Sequence, residues 1–334
     1  MSSSIRASGS ADARPDVMSA QQDIKSIKAD QPSPLALFLD NDFVYSFWHS
    51  KITVAASLVA LLIVLGAVLA PWIAPHDPFD LKTLSLLDSN APPAWAKGGD
   101  IRFLLGTDDQ GRDVFSTILY GSRLSLAVGL LSVVFAAALG ITLGLIAGYA
   151  GGAVDTLIMR AADVQLTFPA ILIALLIDGT AHALFGQYRE ESATIWVLVL
   201  SIGLSFWVQY ARTVRSMTFV ERNKDYVLAA RLIGIRPSLI LVRHILPNVI
   251  GPVLVIVTIN LALAIILEAT LSFLGVGLSP TQPSLGTMIR IGNNFLFSGE
   301  WWIAIFPGIT LAALVLSVNL VGDWLRDALN PKLR

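Results

Sequence analysis

Cysteine is absent from all 334 residues, which excludes disulfides, thiolate metal sites and a cysteine nucleophile. Charge is scarce: 14% of the residues are Asp, Glu, Lys or Arg, against about a quarter in a soluble domain. The net charge of −1 removes any electrostatic case for nucleic acid. Four scattered histidines, with neither His-Glu-x-x-His nor Gly-x-Ser-x-Gly, count against a membrane enzyme. No Gly-Lys dipeptide occurs, so the chain cannot form a P-loop phosphate cradle.

What is present is apolar length. Hydrophobic residues make up 54% of the chain, and mean hydropathy is +0.68. Five stretches, 52–75, 124–154, 192–211, 245–267 and 301–322, contain no Asp, Glu, Lys or Arg. A hydrocarbon core of about 30 Å needs roughly 20 apolar residues, so each can cross a bilayer. A sixth, 164–177, is short before Asp178; widened to 161–185 it reads as the third of six spans. The expected fold is an all-α membrane protein of about six transmembrane helices.

Positive charge sets the expected orientation. With six spans, sixteen Lys and Arg residues fall on the side holding both termini and loop 212–248, and seven on the other. Both termini and that loop are therefore expected in the cytoplasm. Omitting the third span would put the basic loop outside. The polar segment 1–37 is expected to be disordered and is too polar for a signal peptide. Phe38, Phe43, Tyr45, Phe47 and Trp48 before Lys51 suit an interfacial helix or an aromatic lead-in to the first span. Segment 38–123 then holds the first span and an external loop, 124–322 the core of the protein, and 323–334 a short cytoplasmic tail.

Within the external loop, Gly106, Asp108, Asp109, Gly111 and Asp113 predict Asx turns and a helix start. Val114, Phe115, Ile118 and Leu119 then share a helical face. The aspartates lack the alternating ligands and terminal Glu of an EF-hand, which argues against calcium. Gly140, Gly144 and Gly148 form a small-residue ridge suited to close packing. Arg160 and Asp163, three residues apart, are expected to pair on a helix.

Loop 225–248, DYVLAARLIGIRPSLILVRHILPN, predicts a short helix over 225–234 carrying small Ala229, Ala230 and Gly234, ended by Pro237. A second punctuation, His244-Ile245-Leu246-Pro247, precedes the fifth span. Ala-Ala-x-x-x-Gly followed by a hydrophobic-x-Leu-Pro element resembles the cytoplasmic loop of ABC importer permeases. Gly106-Thr107-Asp108-x-x-Gly111-Arg112-Asp113, Leu271-Ser272-Phe273-Leu274-Gly275 and Gly322-Asp323-Trp324 narrow the likeness to the second permease subunit of dipeptide and oligopeptide importers, over about 40–334. The chain departs from that pattern in having Leu228 where the loop often has Glu.

The resemblance implies a type I importer permease in a bacterial inner membrane, one half of a translocation pathway. It implies a homologous permease, two cytoplasmic ABC ATPases holding ATP and magnesium, and an extracytoplasmic binding protein as partners. No cofactor or catalytic residue is implied in this chain. Asp225, Ala229, Ala230, Gly234, His244, Leu246 and Pro247 are the implied ATPase-coupling residues, with Pro237 and Pro247 stiffening the link to the fifth span. Peptides are the implied cargo, though glutathione, nickel chelates and opines use similar permeases. Glu268 either lines the translocation path or caps the reversal near 279–283. Asn260 is an amide inside a span, suited to interhelical bonding or to the path. The competing class is a secondary transporter or channel working alone, which predicts an internal repeat or broken helices.

Overall fold

The computed structural model describes residues 42–80, 84–185, 191–277 and 281–328. The segment 1–37 and the charges Lys82, Arg189, Lys332 and Arg334 lie outside them. The described residues are helical, with a lone bridge between Thr107 and Asp113 and no strand. Helix α1, Asp42–His49, holds Phe47 and Trp48 edge to face at 6.0 Å.

Helix α2, Lys51–Val68, starts where the Ser50 hydroxyl accepts the Thr53 N–H and stops before Pro71. A one-turn helix α3, Ala70–Ile73, follows. Leu58, Leu61, Leu62 and Leu65 of α2 stay exposed. A row of outward leucines suits lipid rather than water. Helix α4, Val114–Ala150, begins ten residues before its charge-free stretch, because Asp113 caps it and Val114 and Ile118 are buried in a cluster with Leu285, Met288 and Trp302. Its 37 residues span about 55 Å, well beyond a bilayer core.

Helix α7, Glu191–Glu221, packs along α4. A Cβ on Gly140, Gly144 or Gly148 would lie 2.5, 2.6 or 2.7 Å from the carbonyl oxygens of Trp207, Ala211 and Arg215. Both rows advance by four residues in the same direction, so α4 and α7 are parallel. The chain between them must therefore cross back. It does so in two pieces, α5 (Gly152–Leu166) and α6 (Ala170–Phe185), which meet at 95°. The third span expected over 161–185 is thus not one helix. Pro169 is the reason, since the residue before a proline is pushed out of the helical region. Among the described residues, five helices are long and apolar enough to cross a membrane, or six if the bent pair counts as one span.

After α7 come helix α8 (Asp225–Leu232), helix α9 (Pro237–Ile240), a π-helical turn (Leu241–Ile245) and the long helix α10 (Leu246–Phe273). Pro237 was expected to end the first of these; instead it starts α9, where a missing N–H costs nothing. Helix α11 (Leu285–Phe295) is wedged between α10 and helix α12 (Trp302–Ala328), with Gly286 on Ala269 and Gly292 on Ile303 and Ala304. The α8 loop and the end of α4 share one end of the bundle. The loop before α4 and the start of α12 share the other, where the Trp302 indole donates to the Thr107 carbonyl at 3.0 Å.

Candidate functional site

Helix α8 presents two different faces. Val227 and Ala230 are buried in the main core, whereas Leu228, Ala229 and Asp225 are exposed. Leu232 and Ile233 are 90% and 79% exposed, an apolar pair at the tip of a polar loop. The helix closes at Gly234, whose φ of +82° is open to glycine at little cost. The Gly234 N–H reaches the Arg231 carbonyl and the Ile235 N–H reaches that of Ala230, a Schellman closure. Gly234 therefore forms a turn; nothing lies within 4 Å of where its Cβ would be. Of the two alanines, Ala230 packs inward and only Ala229 faces out.

Side chains mount α8 on three long helices. At its C-terminal end, the Arg231 guanidinium stacks on the Tyr149 ring of α4 at 4.6 Å. Beside it, Arg222 donates to the Gly148 and Tyr149 carbonyls at 2.8 and 3.1 Å, satisfying the end of α4. At the N-terminal end, the Tyr226 hydroxyl donates to the Glu221 carboxylate of α7. It also accepts from the Asn248 amide of α10 at 3.0 Å, and that amide bonds the His244 carbonyl at 2.7 Å. Lys224 pairs with the other Glu221 oxygen at 2.8 Å. Partial burial and the neighbouring Glu221 carboxylate push the Tyr226 hydroxyl up to about 12, so it stays a proton donor at neutral pH. His244 holds a buried Nδ1 without a hydrogen-bond partner; Leu246 is half-buried and Pro247 exposed at the start of α10.

The α5 helix is fastened to α7 by arginine. Arg215 grips Asp155 with both Nε and Nη2, and Arg212 meets Asp163 at 2.6 Å. The expected pairing of Asp163 with Arg160 therefore does not form; α7 supplies the nearer cation, and Arg160 stays exposed.

Two residues considered for a pathway lie inside the bundle. Glu268 is fully enclosed, accepts from Ser272 at 2.8 Å, and faces the hydroxyls of Ser125 on α4 and Ser284, the cap of α11. Asn260 is also fully enclosed; its amide and the Tyr210 hydroxyl face each other across α10 and α7 without a bond of normal geometry. At the far end, Asp108 binds Arg112 at 2.6 Å with both side chains nearly sealed, and its other oxygen takes the Gln110 and Arg112 N–H groups. Gly106 and Gly111, both at positive φ, let the chain pass against Ala91 and Ser85. These motif residues hold the loop onto α4 and α12. Burial and the adjacent Asp108 raise Asp109; burial and Asp109 raise Glu300. Among the described residues, no three His, Asp or Glu side chains converge as a metal site.

The Tyr226–Glu221–Asn248 cluster and the π turn were not foreseen from sequence. The Arg215–Asp155 fork also arises only when α5 folds back along α7.

Comparison with known proteins places these features. Residues 140–334 match the family described as binding-protein-dependent transport system inner membrane component. Residues 41–93 match the N-terminal TM domain of oligopeptide transport permease C. The di/tripeptide transport system permease protein DppC of Pseudomonas aeruginosa is 40% identical over 91% of this chain and 94% of that protein. The dipeptide transport system permease protein DppC of Haemophilus influenzae is 38% identical over 88% and 95%. That of Escherichia coli K12 is 40% identical over 86% and 93%. Among solved structures, the MetNI methionine ABC transporter in inward-facing conformations matches with TM-score 0.50 and 17% identity, covering 64% of this chain and 96% of that one.

Proposed function

The chain belongs to the inner membrane components of binding-protein-dependent transport systems, and from that membership we propose that it forms one half of an ATP-driven importer of dipeptides and oligopeptides. It is a multi-pass inner-membrane permease, and its family works with ATPase and binding-protein partners. The finer reading pairs it with a homologous permease and two ATPases, which seat on α8 at the cytoplasmic end and hold the ATP and magnesium. Asp225 and Ala229 would face that partner, Ala230 and Gly234 would shape the helix and its exit, and His244, Leu246 and Pro247 would lead into α10.

The supporting observation is the apolar pair Leu232 and Ile233, standing out from a loop rich in Arg and Lys. An exposed apolar patch ringed by polar residues marks a protein-binding surface. The peptide cargo rests on what the three named relatives carry.

The test is co-expression with the neighbouring genes, purification in detergent, and an inventory of the chains recovered. The native chain is expected to bring a second permease and two ATPases, and Leu232→Asp to lose the ATPases while keeping the permease. Retention of the ATPases by Leu232→Asp would refute the docking surface. Uptake of a labelled dipeptide by this chain alone, without ATP, would replace the importer with a self-contained transporter.

A further inference from the structure

Helix α8 and helix α10 are joined by two routes. The backbone route, 233–245, passes through Gly234 at positive φ, then the one-turn α9, then a π-helical turn. Pro237 and Pro247 stiffen parts of this route, but a left-handed glycine precedes the first and a π turn the second, and both are places where a chain bends and takes up part of a push on α8. The side-chain route is short. Tyr226 reaches Asn248 directly, across 22 residues of sequence, and binds Glu221 with the same hydroxyl. Because Asn248 also holds the His244 carbonyl, the hydroxyl is tied to the junction of the π turn with α10. Glu221 is itself held by Lys224, so its carboxylate is fixed when Tyr226 meets it.

We infer that Tyr226 is a positioning residue of the transport cycle: its hydroxyl, held between Glu221 and Asn248, converts movement of the docked α8 into movement of α7 and α10. This rests on the reading that α8 is the ATPase-docking helix, and adds the joint through which docking acts. Docking itself is assigned to the apolar face of Leu232 and Ile233, and Tyr226 is the hinge pin behind it. The Arg231–Tyr149 stack fixes the other end of α8 and Val227 and Ala230 seat its inner face in the core, so loss of the hydroxyl cuts the polar link to α10 while α8 stays in place.

The test uses the full complex in proteoliposomes, with the binding protein and a labelled dipeptide, and reads peptide carried per ATP hydrolysed. Tyr226→Phe removes only the hydroxyl. The ATPases are expected to co-purify in native amount while the ratio falls about tenfold, the size of one lost hydrogen bond to a charged group. Asn248→Ala is expected to lower the ratio similarly, and the double variant little further, because both cut one link. A native ratio in Tyr226→Phe with the ATPases bound would overturn the inference and leave the docking surface standing. Loss of the ATPases from the native complex, or their retention by Leu232→Asp, would instead sink the docking reading. Should Tyr226→Phe fail to assemble, Asn248→Ala, an exposed side chain, decides alone: a native ratio overturns the inference.

Discussion

Gly144→Ala adds one methyl group at the close seam between α4 and α7. The new Cβ would lie 2.6 Å from the Ala211 carbonyl oxygen, 2.9 Å from the Val214 Cβ and 3.1 Å from the Arg215 nitrogen. Two of these atoms belong to the backbone, so no side chain can swing aside. Helices α4 and α7 must part by roughly 1 Å, a gap that forfeits much of the dispersion contact along the seam. Overpacking of this kind costs about 1–3 kcal/mol, while glycine to alanine inside a helix returns about 0.5–1 kcal/mol. The difference of those two effects spans about 0–2.5 kcal/mol, a net loss centred on about 1 kcal/mol. Gly179 in α6 supplies the control, because nothing lies within 4 Å of its Cβ position. Gly179→Ala should keep only the helical gain and match or exceed the native protein. The absence of cysteine rules out thiol-reactive dyes, so the assay is intrinsic tryptophan fluorescence on heating in detergent; Trp207 sits on the seam itself. If both variants melt at or above the native temperature, close α4–α7 packing does not govern stability and the argument fails.

Other perturbations follow from the same geometry. Glu268 is enclosed among serines; Glu268→Gln keeps its shape and its serine neighbours and should change thermal stability by under about 1 kcal/mol, whereas Glu268→Ala should cost about 2–4 kcal/mol in cavity and orphaned hydroxyls. Asp108→Ala removes the nearly sealed carboxylate that accepts from Arg112 and from two backbone N–H groups, and should cost about 1–3 kcal/mol or more, read as a lower melting temperature. Asp109 is raised above 3.8, chiefly by burial, so the stability it contributes is present below that value and lost as pH rises through its folded pKa. Asp109→Asn should therefore melt higher than native at pH 7 and lose that advantage near pH 4. An advantage that persists at low pH would assign the gain to something other than ionisation.

The crossings were legible because a bilayer imposes a simple requirement: about 20 apolar residues uninterrupted by charge. The small-residue ridge and the helix start at Asp113 were legible for a similarly local reason, whereas Gly234 reads in sequence as part of the helix and only the structure shows it closing α8 at positive φ. A glycine every fourth residue needs a close neighbour, and an aspartate before an apolar face caps a helix. What could not be read was how the pieces meet. The third crossing is split at Pro169, because a composition window sees apolarity but not the direction of the chain. Asp163 has Arg160 nearby in sequence, yet Arg212 lies closer once α5 folds along α7. Pro237 reads equally as the end of one helix or the start of another, and only the chain's direction after Gly234 chooses.

Sequence alone therefore determined the class, the apolar stretches, the basic loop and the lack of a P-loop motif, since each follows from composition or local pattern. Tertiary structure decided the parallel run of α4 and α7, the enclosure of Glu268 and Asn260, and the mounting of α8 through Tyr226 and Arg231. Those features join residues separated by tens of positions, such as Tyr149 with Arg231. Their formation depends on how helices pack, and packing is set by the whole surface of each helix rather than by any short stretch of it.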